Sequence, residues 1–419
     1  MLEQIEGSRA IAETVALCRP EVVCAYPISP QTHIIEAIGR KVKSGELEHC
    51  EYINVESEFA AMSVSIGASA AGARAYTATA SQGLLFMLEA VYNAAGLGLP
   101  IVMTLANRAI GAPINIWNDH SDAMAARDAG WIQLFAESNQ EAADLHVQAF
   151  RLAEELSVPV MVCMDGFILT HAVEGVDLLS QSEVDDFLPP YEPRQVVDPA
   201  APVSIGAMVG PEAFEEVRYL AHLRQLDALE LIPSIYEDFC ALTGRDSGGL
   251  VRPYRTEDAE TIVVALGSVL GTIKDAVDAR REAGERIGVV GVTTFRPFPR
   301  AALRAALAGA TRVLVLEKAF SLGAEGVLMG DVVMATRGRE LALHNVIAGL
   351  GGRPITRASL ETLLAAASSG ELGEFTFLDL DNDVVTRERE RMAAVRRSGP
   401  SAENVLRDLQ ILASMKEHS

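Results

Sequence analysis

The sequence predicts an α/β protein: a doubly wound parallel sheet in the first half and a smaller α/β domain after it. Three observations carry that prediction. Short, almost continuously apolar runs alternate with helix-length amphipathic stretches, as strands buried on both faces of a parallel sheet require. The alternation loosens between about 180 and 255 and then restarts. Apolar residues make up 49% and charged residues 22% of the 419, a composition that supports a packed core.

Element by element, Ser8–Leu17 reads as a helix and the run beginning at Glu21 (EVVCAYPIS) as a strand closed by a turn between Pro27 and Pro30. Ile34, Ile35 and Ile38 mark one face of the next helix. A strand over 51–57, a small-residue helix over 59–73 and a strand over 74–80 follow. Residues 81–98 read as one helix, 99–106 as a buried strand and 107–135 as irregular. Ser138 and Glu141 have capping-box spacing and open a helix to about Leu156, ahead of a strand over 158–165. Proline-rich 186–202 lies within an extended arm at about 180–205, and a helix occupies 211–243. The second run has strands at 261–268, 287–294 and 311–319 with helices between them, then a strand and turn over 340–351. The expected domains are 1–240 and 255–385, followed by a charged helical tail at 386–419.

Lys plus Arg number 35 and Asp plus Glu 57, a net charge of −22 that argues against a nucleic-acid partner. The five cysteines (Cys18, Cys24, Cys50, Cys163, Cys240) have no pairing or cluster-ligating spacing, as expected in a reducing compartment. No leader pattern and no bilayer-length apolar run stand out, so the expected location is the cytoplasm, with no membrane partner.

Four clusters sit where strands end, the edge at which parallel sheets bind ligands. Tyr26-Pro27-Ile28-Ser29-Pro30 is either a strand-to-helix turn or a stiff wall that fixes Ser29. Glu58 opens a helix of small residues; it either complements the helix dipole or shares a proton with a basic ligand nitrogen. Ser81 and Gln82, in Thr79-Ala80-Ser81-Gln82-Gly83, offer a cap or a polar ligand rim. Arg108 follows an apolar strand and needs an anion, whether a ligand carboxylate or Asp119 or Asp122. His120 between two aspartates is a weak metal pattern, and the expected metal set for this chain is none.

Taken together, these stretches (AYPISPQTHIIEAI, VESEFAAMSVSIGASAAGARAYTATASQGL, LPIVMTLANRAIGAPINIWNDHSDAMAARDAGWIQLF, PVMVCMDGFILTH, FLPPYEP) resemble, in content and order, the alpha subunit of the 2-oxoacid:ferredoxin oxidoreductases. The resemblance covers nearly the whole chain. It implies a thiamine diphosphate pyrimidine-binding domain and a transketolase-C-terminal-like domain. It assigns Glu58 to the aminopyrimidine N1′, Pro27, Ser81 and Gln82 to the cofactor pocket, and Ser29 with Arg108 to the substrate carboxylate. The family more often has threonine where this chain has Ser29; serine keeps the hydroxyl and drops the methyl. The implied reaction converts pyruvate, coenzyme A and oxidised ferredoxin to acetyl-CoA, CO₂ and reduced ferredoxin, reversibly. Alternatives are another 2-oxoacid (branched-chain, aromatic, 2-oxoglutarate, oxalate) or a non-redox thiamine transferase half. The chain's only Asp-Gly, Asp165-Gly166, lacks the diphosphate-binding context. The resemblance therefore implies that Mg²⁺ and the [4Fe-4S] clusters reside on beta-, gamma- and delta-type partner subunits, separate or fused.

Overall fold

A computed structural model describes residues 2–202 and 204–417. Thus Val203 of the arm and positions 418–419 of the tail lie outside the described residues. The first stretch runs β1 (Leu2–Glu6), α1 (Gly7–Leu17), β2 (Val22–Ala25), α2 (Thr32–Ser44), β3 (Glu51–Asn54), α3 (Glu58–Ala70) and β4 (Ala75–Thr79). It continues through α4 (Ser81–Phe86), α5 (Leu88–Leu97), β5 (Val102–Asn107), α6 (Ser121–Ala125), β6 (Ile132–Phe135), α7 (Asn139–Leu156) and β7 (Val160–Asp165). β8 (Val173–Asp177), α8 (Gln181–Phe187) and α9 (Phe214–Thr243) lead out of it.

The second stretch holds β9 (Val251–Tyr254), β10 (Thr261–Ala265), α10 (Val269–Glu282), β11 (Ile287–Val292), β12 (Thr294–Arg296), α11 (Arg300–Ala306) and β13 (Arg312–Glu317). α12 (Val327–Thr336), β14 (Ala342–Ile347), α13 (Arg357–Ser369), β15 (Phe375–Phe377), α14 (Asn382–Ala394) and α15 (Ser401–Glu417) complete it.

The predicted alternation is present. The larger sheet has the order β12-β6-β7-β5-β4-β2-β3 and is parallel from β6 to β3; the smaller is β15-β14-β13-β10-β11-β9. β4, β5 and β7 are buried along their whole lengths, which explains their unbroken apolar pattern.

Several details differ from the sequence reading. The helix expected over 81–98 breaks at Met87 (φ −91°, ψ 5°): α4 is held at its start by side chains of the site, while α5 packs Ala90, Val91 and Ala94 inward. The irregular segment contains α6 and β6. Ser138 caps α7 by accepting from the Glu141 amide, but Glu141 Oε2 turns to the Glu137 amide, so only half the expected box forms. A complete capping box instead sits inside the arm, at Ser180 and Glu183.

Short strands escaped the pattern. β1 pairs antiparallel with β8, and β9 edges the smaller sheet antiparallel to β11. Three-residue β12 leaves the second stretch to pair antiparallel with β6, in the register Thr294↔Leu134. One apolar core accordingly runs from Val91 and Met103 through Trp131 and Phe135 to Val290, Phe295 and Val315. Among the described residues no helix is long and apolar enough to cross a membrane.

Candidate active site

The carboxyl ends of β2, β4 and β5 lie side by side and deliver three of the four predicted clusters to one edge; Glu58 reaches the same edge from the start of α3. α3 begins with a working cap, the Ser57 hydroxyl accepting from the Ala60 amide, so Glu58 sits in the first turn at the positive end of the helix. It is 8% exposed, and its carboxylate has no hydrogen-bond or ion-pair partner among the described residues. Gly83 leaves the space this carboxylate occupies: a Cβ there would lie 2.7 Å from Glu58 Oε1 and 2.5 Å from Thr79 Oγ1. The buried Thr79 hydroxyl is itself without a partner among the described residues. A free carboxylate and a free hydroxyl meet over one glycine.

Arg108, directly after β5, is 6% exposed. Its Nη1 donates to the Ser29 carbonyl at 2.9 Å and its Nε to the Asn115 carbonyl at 3.3 Å. No carboxylate pairs with the guanidinium among the described residues; neither Asp119 nor Asp122 fills that role. Burial draws the guanidinium below its ordinary pKa, against the field of Asp122. Asp119 instead accepts from Ser121 and, through Oδ2, from the Gly351 amide at 3.1 Å, fastening this loop to the smaller sheet.

The other residues divide between interior and rim. Pro27 and Ser29 lie on the exposed turn after β2; Pro30 behind them is buried, and the Ser29–Pro30 peptide is cis. The Ser29 hydroxyl has no partner among the described residues, so the arginine contact goes to its carbonyl. Ser81 is fully buried: its hydroxyl donates to the Ala109 carbonyl at 2.5 Å and also meets Gln82 Oε1.

Asp122, expected as a possible partner of the Arg108 guanidinium, serves instead as a backbone tie. Fully buried, it accepts through Oδ2 from the Ser81 amide at 3.0 Å and the Arg108 amide at 2.9 Å. Oδ1 accepts from Asn107 Nδ2 at 2.9 Å and from the Ala123 amide at 2.8 Å. One carboxylate thus ties the β4 loop to the β5 loop. Burial pushes it up to about 7, although the N–H donors of Asn107, Ser81 and Arg108 favour its ionised form.

A second polar cluster underpins the site. Asp165, ending β7, meets His120 Nε2 at 2.7 Å, Lys318 Nζ at 3.1 Å and the Ser268 amide at 3.1 Å. Burial opposes its charge, but Lys318 and His120 overcome that and hold it well below the usual carboxylate range. His120 is therefore part of a lock between the two sheets. The signal for Lys318 was visible in the sequence, since Glu317-Lys318 closes a buried apolar strand and needs partners.

A parallel sheet with a carboxylate and a guanidinium that have no charged partner among the described residues, both at one edge, defines a class: an α/β protein built as those that bind ligands at strand ends are. Two solved structures share the fold. One is a 2-oxoglutarate:ferredoxin oxidoreductase from Magnetococcus marinus (TM-score 0.68, 19% identity), aligned over 87% of this chain and 65% of that one. The other is a split-gene transketolase in an inactive beta4 tetramer (TM-score 0.51, 13% identity), aligned over 88% and 99%. The present chain thus spans about two thirds of the oxidoreductase chain.

Residues 13–235 match the family "Pyruvate flavodoxin/ferredoxin oxidoreductase, thiamine diP-bdg", and residues 259–360 match "Pyruvate:ferredoxin oxidoreductase core domain II". A pyruvate synthase subunit PorA of Methanosarcina barkeri is 47% identical over 390 residues, 91% of this chain and 97% of that protein. A ketoisovalerate oxidoreductase subunit VorA of Pyrococcus abyssi is 40% identical over 375 residues, 88% and 95%. The chain belongs to the pyruvate flavodoxin/ferredoxin oxidoreductase family.

Proposed function

We propose that this chain is the alpha subunit of a thiamine-diphosphate-dependent pyruvate:ferredoxin oxidoreductase. The observation that carries the reading is Arg108: a buried guanidinium with no carboxylate partner among the described residues, at the same sheet edge as a buried carboxylate with no cation partner among them. Leaving both unpaired costs stability, and a ligand pair that brings one basic nitrogen and one carboxylate satisfies them together.

The free Glu58 carboxylate, the orphaned Thr79 hydroxyl and the space left by Gly83 fit the aminopyrimidine end of thiamine diphosphate. When bound, that cofactor supplies the nucleophilic carbon that allows a 2-oxoacid to lose its carboxyl group. Glu58 holds the proton at the pyrimidine ring nitrogen, so that its carboxyl alternates between donor and acceptor there. Arg108 grips the 2-oxoacid carboxylate; its Nη1 is already committed to Ser29 O, which leaves Nη2 and the Ser29 hydroxyl for substrate. Pro27 and Gln82 line the approach. Residues 1–240 and 255–385 are proposed as the pyrimidine-binding and transketolase-C-terminal-like domains, with the tail beyond.

Diphosphate, Mg²⁺ and the [4Fe-4S] clusters belong on beta-, gamma- and delta-type partners, with ferredoxin as acceptor in the cytoplasm. Exposed aromatic and apolar side chains at or near the ends of the site loops (Tyr26, Phe59, Phe86, Ile116, Trp117) support a partner that covers this rim. Arg108 reads a carboxylate and not the rest of the substrate. The VorA relatives therefore make a branched-chain 2-oxoacid the second reading. The test is coenzyme-A-dependent ferredoxin reduction by the purified complex across a panel of 2-oxoacids. Pyruvate giving the highest kcat/KM is the expected result; a higher value for 2-oxoisovalerate favours the second reading, and iron-free, redox-silent material rejects both.

A further inference from the structure

Beside the turn that carries Ser29, three metal-ligating side chains from separate parts of the chain converge. Glu6 ends β1, His33 is the second residue of α2, and His171 lies just before β8. One ligand atom from each lies within 4.8 Å of the other two. His33 Nδ1 is 2.6 Å from Glu6 Oε1, and the two imidazole centroids are 4.8 Å apart. Two imidazoles bound at about 2.0–2.1 Å to adjacent positions of one ion have centroids roughly 5 Å apart. The rings already stand at that separation, and only the short Glu6–His33 contact must open to admit an ion.

The surroundings favour a ligand role over a plain hydrogen-bonded pair. Thr170 Oγ1 meets His171 Nδ1 at 2.7 Å, which orients the ring and leaves Nε2 free, the supporting arrangement that metal-binding histidines use. Phe167 stacks against the same ring with centroids 4.7 Å apart and restricts its rotation. His33 is 49% exposed, which gives an ion and its water ligands a way in. The cationic neighbour, Arg9, stands 3.9 Å from Glu6 Oε2 and leaves Oε1 to the cluster.

We propose that Glu6, His33 and His171 form a binding site for one divalent transition-metal ion of the zinc type, completed by water. The ion would fasten the end of β1 and the loop before β8 to the first turn of α2, four residues beyond Ser29. It is a structural clamp outside the cofactor pocket, and nothing in the proposed catalysis requires it.

The full-length chain, stripped of metal with a chelator, is titrated with Zn²⁺ by calorimetry and with Co²⁺ by visible absorption. The expected result is one saturable Zn²⁺ site per chain, lost in His33→Ala and in His171→Ala and weakened about tenfold in Thr170→Val. Co²⁺ should give d–d bands without a thiolate charge-transfer band, which separates this site from binding at a cysteine. Glu6→Gln preserves the shape of the side chain and should also lose the site, so a folding defect in an alanine variant cannot mimic the result. The proposal is overturned by a Zn²⁺ isotherm that is unchanged in the histidine variants, by a thiolate band, or by no saturable step. Since no turnover is measured, its failure leaves the thiamine reading standing.

Discussion

Asp122→Asn is the substitution that probes the site's construction most sharply. An asparagine can present one acceptor oxygen where the carboxylate presents two. In either rotamer its amide group therefore faces two N–H donors, either those of Ser81 and Arg108 or those of Asn107 and Ala123. At about 1.5 kcal/mol for each bond lost, that amounts to roughly 3 kcal/mol, or on the order of a 100-fold fall in kcat/KM if the bonds hold Arg108 in its working position. Protonated Asp122 has the same shortage of acceptors. Because burial raises this carboxyl to about 7, wild-type kcat/KM for the 2-oxoacid should climb as pH rises through neutrality.

The linkage sign for stability is the opposite. A carboxyl raised in the folded state stabilises the fold most below its unfolded pKa of about 4 and loses that contribution as pH rises toward 7. The variant should show neither slope: its kcat/KM should sit near the wild type's low-pH plateau, and its melting temperature should lack the decline from this group. The assay is steady-state kinetics of the assembled complex from pH 5.5 to 8.5, with melting curves alongside. An Asp122→Asn complex with wild-type kcat/KM and a wild-type pH profile would refute the positioning role.

Three further outcomes are expected. Gly83→Ala brings a methyl to within 3 Å of Glu58 Oε1 and Thr79 Oγ1 and should weaken thiamine diphosphate binding at least tenfold, read by calorimetry on the complex. Arg108→Lys keeps the charge but loses the planar fork; KM for the 2-oxoacid should rise 10- to 100-fold while KM for coenzyme A stays unchanged. Lys318→Met leaves Asp165 buried without its ammonium and should cost about 3–5 kcal/mol in chemical unfolding, while the double variant with Asp165→Leu should recover part of that loss.

What the sequence made legible follows from how local each signal is. Buried parallel strands announce themselves as apolar runs, and the residues just past their ends were found without coordinates: Ser29, Ser81 and Arg108, with Glu58 beside them. The missed features are pairings across long separations. β12 is three residues long and borrows its partner, β6, from the other half of the chain, so no periodicity marks it. The DHSD run offers Asp119 and Asp122 as partners for the Arg108 guanidinium, whereas Asp122 binds that residue's backbone amide and Asp119 binds Ser121 and Gly351. Backbone donors are identical at every position, so nothing in the side-chain pattern shows which amides a carboxylate will gather. The guanidinium, freed of both aspartates, is what gives the carboxylate-binding reading its weight.

Glu58 bears the central claim, and proton exchange at the thiazolium C2 position of bound thiamine diphosphate tests it most directly. Deuterium exchange followed by NMR in the assembled complex should be at least 100-fold slower with Glu58→Gln than with the wild type, while fold and cofactor occupancy persist. Equal exchange rates in the two complexes would contradict the assignment of this carboxylate to the cofactor.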